Sequence, residues 1–240
     1  MPRFGVESWF EKHPHVVLSE ANCPLYPNQF SANLALPEVR EHFVADSVDV
    51  VERYGVDGLH LEFMRAIPFF EGDEPDKIEH MNTFLRMLRG ELDRIGEQRG
   101  RRVRLAIWSG TPGNYRVIRK GLFPPEFFDL AFHGIEPRTW MAEKWVDLLM
   151  MSVWSGGDRR GTPVDLAPWT ERAPGSEAQV LGTVDNAADP PEPERMAESE
   201  QVIRRTHVAS DGVFLFNTQP FHLALLLEHG RRSDCGLKGV

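Results

Sequence analysis

The segment Tyr54-Gly55-Val56-Asp57-Gly58-Leu59-His60-Leu61-Glu62-Phe63-Met64-Arg65 constrains this 240-residue chain more than any other stretch. It reads as a helix ending at Gly55, a tight connection, and a short strand with an ionisable residue at its far end. Side chains alternate across a strand, so Leu59, Leu61 and Phe63 share one face while Gly58, His60 and Glu62 share the other. A strand that is apolar on one side and carries a small residue, then His, then Glu on the other suits a curved parallel sheet. Its outer face packs under helices and its inner face looks into a lumen. Glu62 then falls at the C-terminal end of the strand, where such sheets keep their chemistry. His60 two residues before it, Arg65 three residues after it and the apolar loop Pro68-Phe69-Phe70 make it the leading candidate for a functional carboxylate.

Strand-like runs recur along the chain, at 15–20 (weakly), 56–63, 103–109, 146–154, 179–186 and 211–217. Amphipathic helical stretches separate them. The stretch 37–54 opens on Pro37, a residue suited to a first helical turn, and places Val44, Val48 and Val51 on one stripe. In the next, Ile78, Met81, Leu85, Leu88, Leu92 and Ile95 alternate steps of three and four, with Gly96 and Gly100 as stop signals. Shorter helical pieces are expected over 140–145, 196–206 and 221–229. Such alternation predicts an α/β fold, a parallel sheet with helices outside.

Spacing sharpens this. The five clear strands begin at 56, 103, 146, 179 and 211, so eight such units need about 300 residues or more. The expected class is therefore a (β/α)8 barrel of the TIM-barrel type with about six of its eight βα units present. On this reading residues 1–240 are a single domain lacking its N-terminal units, and its open strand edges favour self-association.

Charge and cysteine usage exclude several classes. A net charge of −9 opposes a nucleic-acid surface, which gathers Lys and Arg. No apolar run approaches a membrane span, and the start Met1-Pro2-Arg3-Phe4 has no signal-peptide core. A cytoplasmic location is the default expectation, although a preceding segment could carry an export signal. Cys23 and Cys235 are read as two free thiols. The histidines form no HExxH pair, and His13 with His15 reads as a solvated loop pair, so neither metal nor cofactor is expected. There is no glycine-rich phosphate loop and no GxSxG elbow.

The strand ends supply the remaining candidates. Alternation places Arg104, Ala106 and Trp108 inward, with Trp108 at the mouth beside Glu62, and Trp154 follows the next strand. Flat indole faces of this kind stack on the C–H face of a pyranose. Asp185, Asn186 and Asn217 are hydrogen-bonding groups of the kind a hydroxyl-rich ligand needs. Glycoside hydrolysis uses two carboxylates flanking the scissile bond. Glu62 is one and Asp185 is the best-placed second; Glu20 and Glu136 are further candidates, while Asp147 lies at the wrong end of its strand.

The run from Trp9-Phe10-Glu11-Lys12-His13-Pro14 through Leu36-Pro37-Glu38-Val39-Arg40 to Tyr54–Arg65 resembles the glycosyl-hydrolase-like family-10 barrels, bacterial TIM barrels related to the α-amylase superfamily. Gly134-Ile135-Glu136-Pro137-Arg138-Thr139-Trp140, Trp145-Val146-Asp147-Leu148-Leu149 and Ser210-Asp211-Gly212-Val213-Phe214-Leu215-Phe216-Asn217 are similar to later elements of that family. The resemblance covers nearly the whole chain, starting at about the third strand of the family's barrel. It implies a hydrolase acting on a carbohydrate O-glycosidic bond. Glu62 falls where amylase-type barrels place a catalytic carboxylate and Asp185 near their auxiliary one, with Arg65 orienting Glu62, and His60, Trp108, Trp154, Asn186 and Asn217 contacting sugar. The departure is at Trp108-Ser109-Gly110, where those enzymes keep an acid, so the general acid has no assigned residue. A non-catalytic carbohydrate-binding barrel or a pseudoenzyme fragment is the alternative expectation.

Overall fold

The computed structural model describes residues 6–18, 31–63, 68–110, 130–152, 166, 170, 176–185, 201, 203–206 and 208–216, without the side chains of 6–8, 152, 184, 185 and 216. Their elements run α1 (Val6–Lys12), α2 (Pro37–Tyr54), β1 (Gly58–Glu62), α3 (Lys77–Arg99), β2 (Arg104–Ser109), α4 (Pro137–Ala142), β3 (Leu148–Ser152), β4 (Gln179–Asp185) and β5 (Gly212–Phe216). Single 3-10 turns lie at Pro14–Val16 and Ala131–His133.

Local chemistry explains the boundaries. Pro37 opens α2, where a missing N–H costs nothing, and Gly55 closes it at φ +63° with its N–H on the Val51 carbonyl. Gly100 closes α3 in the same left-handed conformation, at φ +65°. The helix passes through Gly96 before stopping there; Gly96 is buried, and a Cβ on it would come within 2.9 Å of the Arg101 carbonyl. Gly96 thus serves close packing and Gly100 the stop.

The five strands pair in chain order, β1-β2-β3-β4-β5, and every pairing is parallel. Strict sequential order means that each crossover steps the same way. Right-handed crossovers then place the connecting helices on one face only, unlike a doubly wound sheet, which reverses. Leu105, Ile107, Leu149, Met151 and Val180 on that face are buried against Leu85, Leu88, Leu92 and Ile95 of α3 and Val44 and Val51 of α2, in one apolar cluster. Each such side chain contributes about 1.5–3 kcal/mol relative to exposure.

The other face closes on itself. The His60 ring of β1 lies 6.3 Å from the Phe214 ring of β5, centroid to centroid. In a flat sheet, strands four steps apart are separated by about 19 Å at ~4.8 Å per step. The sheet is therefore curled, with β1 and β5 facing each other across a lumen. Hydrogen-bonded partners lead from His60 through Ala106 and Leu148 to Gln179. Because Leu181 pairs with Gly212, the next position along that row is Ser210. His60 instead meets Phe214, four residues further on. Four strand steps and four residues of climb give one residue per strand, the stagger of an eight-stranded barrel of shear eight. The sheet is α/β and of TIM-barrel type by its own order and stagger.

The weak run at 15–20 does not join this sheet. Pro14 fixes φ and starts a 3-10 turn, and Val17 makes an isolated antiparallel bridge to Ala32 instead. Ser19 and Glu20 lie outside the described residues, as does the helical piece expected at 221–229. Among the described residues, no helix is long and apolar enough to cross a membrane.

Aspartates fasten the N-terminal end of the sheet. Asp147, just before β3, accepts from the Leu105 amide at 2.8 Å with Oδ2 and from Arg102 Nε at 2.6 Å with Oδ1. Asp211, just before β5, accepts from the Val180 amide in the same way at 2.8 Å. Arg89, nearly buried, adds a contact to Asp147 at 3.4 Å and donates to the Val103 carbonyl at 2.9 Å. The role of Asp147 is thus to tie β3 to β2 away from the mouth. Asp147→Ala is expected to lower stability by about 1–3 kcal/mol, because it strips an acceptor from a strand amide and from the buried Arg89. Urea unfolding measures this; an unchanged midpoint would contradict the assignment.

Candidate functional site

The C-terminal end of the sheet is built from the lumen outward. One residue of climb per strand brings side chains of alternate strands to one level. His60 of β1, Met150 of β3 and Phe214 of β5 make one such level, and Trp108 of β2 with Thr183 of β4 the next. Trp108 packs its ring 6.5 Å from His60 and 5.8 Å from Phe214, the latter edge to face at 71°. Aromatic pairs favour this arrangement. Trp108, Met150 and Thr183 are buried, so the lumen is plugged by side chains at this height.

Glu62 sits one step above the plug. Its Cα pairs with that of Trp108, and the ladder continues past it through the Phe63 amide to the Trp108 carbonyl at 2.8 Å. Alternation sends Phe63 to the outer core, where it meets Phe69 at 5.1 Å and Trp140 at 6.1 Å. That anchor fixes the backbone carrying Glu62. The side chain itself is exposed. The open mouth leaves it in solvent.

His60 shows the opposing influences at this end. Its ring lies against Trp108 and Phe214, and desolvation there lowers its pKa below the ordinary 6.5, while the Glu62 carboxylate partly offsets the shift. A neutral imidazole is therefore favoured beneath the carboxylate.

The remaining sequence candidates divide cleanly. Asp185 ends β4, in register with Phe216, with its side chain outside the described set. Arg65, Trp154, Asn186 and Asn217 lie outside the described residues, as does Glu20. Glu136 is not at the mouth: it precedes α4, and its Oε2 accepts from Asn82 Nδ2 at 3.2 Å, while Asn82 Oδ1 accepts from Trp140 Nε1 at 2.7 Å. This chain ties α3 to α4 behind the sheet. The apolar loop Pro68-Phe69-Phe70, which counted toward Glu62 as a functional residue, is buried, with Phe69 and Phe70 in the outer core. Phe214 was missed. Its position two residues beyond Gly212 on the inner row was available from alternation, but its meeting with His60 depends on the stagger, which no local pattern reveals. Among the described residues no cluster of His, Cys, Asp and Glu could hold a metal ion.

No family model matches the chain, and no curated protein matches it. Among solved structures it is similar to a glycoside hydrolase family 18 N-acetylglucosaminidase from Paenibacillus barengoltzii, at 21% identity over 50% of this chain and 31% of that one, with a TM-score of 0.37. It is similar to the multi-modular cell-surface chitinase ChiW from Paenibacillus sp. str. FPU-7, at 16% identity over 63% of this chain and 14% of that one, TM-score 0.39. It is also similar to a class V chitinase from Nicotiana tobaccum, solved in complex with NAG4, at 16% identity over 76% of this chain and 42% of that one, TM-score 0.35. The chain thus spans less than half the length of each. These neighbours are glycoside hydrolases of the chitinase type; none of the three is named as a family-10-like or amylase-type barrel.

The depressed His60 pKa fixes a pH dependence. In the window between the folded value and 6.5, the unfolded chain binds the proton more readily than the native one. The contribution is fully present above 6.5 and is lost as pH falls through that window. Urea unfolding from pH 5 to 8 should therefore show stability rising with pH more steeply in the wild type than in His60→Gln. Parallel profiles would show that His60 titrates alike in both states.

Proposed function

We propose that this protein acts on carbohydrate at the C-terminal mouth of its sheet, as a hydrolase of an O-glycosidic bond with Glu62 as the reacting carboxylate. The observation that carries this reading is the solvent-exposed Glu62 on a rigid strand end, directly above the buried Trp108 ring, with the exposed His60 and the half-buried Phe214 packed beside that ring. A carboxylate over an aromatic floor offers both things a glycoside needs: charge at the sugar carbon and an apolar surface for its C–H face. Glu62 serves as nucleophile or base. Asp185, on the facing side of the curl, assists by hydrogen bonding or proton transfer, and Arg65 orients Glu62. Trp108 forms the floor rather than an open platform, because its own faces are covered; Trp154, Asn186 and Asn217 complete the ring and hydroxyl contacts. The resemblance to glycosyl-hydrolase-like family-10 barrels, which runs over nearly the whole chain, supports this reading, with residues 1–240 taken as one domain.

Binding without hydrolysis is the second reading. It is favoured by β2 ending in Trp108-Ser109-Gly110, which brings no acid to the position beside Glu62.

The test is turnover of a panel of oligosaccharides and aryl glycosides by the wild type and Glu62→Gln. The expected result is a loss of about 10²–10⁴-fold in kcat with KM little changed. Because Glu62 is exposed, the variant should keep wild-type stability within about 0.5 kcal/mol. A fully active Glu62→Gln would move the chemistry elsewhere. Sugar binding by the wild type without turnover would select the second reading.

A further inference from the structure

We draw no further inference here: the strongest candidate, the seam between the outer edges of β1 and β5 where Gly58, His60, Gly212 and Phe214 turn their backbone groups away from β2 and β4, carries nothing, because nothing in the structure shows what covers it.

Discussion

Everything at the mouth depends on how steeply the sheet climbs as it curls. Parallel pairing alone would allow a flat or a doubly wound sheet, with Glu62 and the end of β4 far apart. The contact of His60 with Phe214 removes that freedom, because it joins the first strand to the fifth through their inner faces. The one-residue climb per strand then follows from the register, and with it the stacking of side chains into levels from alternate strands. Trp108 is buried because the curl brings two rings against it. Glu62 is exposed because it sits one step above those rings.

Stability and chemistry occupy opposite ends of the same strands. Asp147 and Asp211 each precede a strand and bind the amide of the neighbouring one, closing the N-terminal rim with charge-assisted hydrogen bonds. Arg89 and Arg102 gather around Asp147 and leave it no role at the mouth. At the other rim, Phe63, Phe69 and Trp140 make a hydrophobic footing under the strand end that presents Glu62.

Much of the fold was legible because alternation and helical periodicity report burial directly. The strand carrying Leu59, Leu61 and Phe63, the helix carrying Met81, Leu85, Leu88 and Leu92, and the stops at Gly55 and Gly100 all follow from one-dimensional patterns. What failed had a tertiary cause. Residues 15–18 have a strand's composition, but Pro14 and a bridge to Ala32 take them elsewhere. Phe69 and Phe70 follow Glu62 closely in sequence yet are core in space, because the loop folds back under α3 toward Gly134 and Lys77. Glu136 stands in the sequence as a further candidate carboxylate, yet it precedes α4 and is engaged by Asn82. Phe214 went unnoticed for the converse reason: its partner lies four strands away, and only the stagger brings them together.

The most direct test of this account is whether His60 and Phe214 touch in solution. Nuclear Overhauser effects between their ring protons, measured on the folded protein with both side chains specifically labelled, report contact only within roughly 5–6 Å, far short of the ~19 Å of a flat five-stranded sheet. The curled sheet predicts clear cross-peaks between the His60 imidazole and the Phe214 ring, and between each and Trp108. Cross-peaks from His60 to Trp108 alone, with none to Phe214, would mean that the sheet is open and flat, and the mouth described here would not exist.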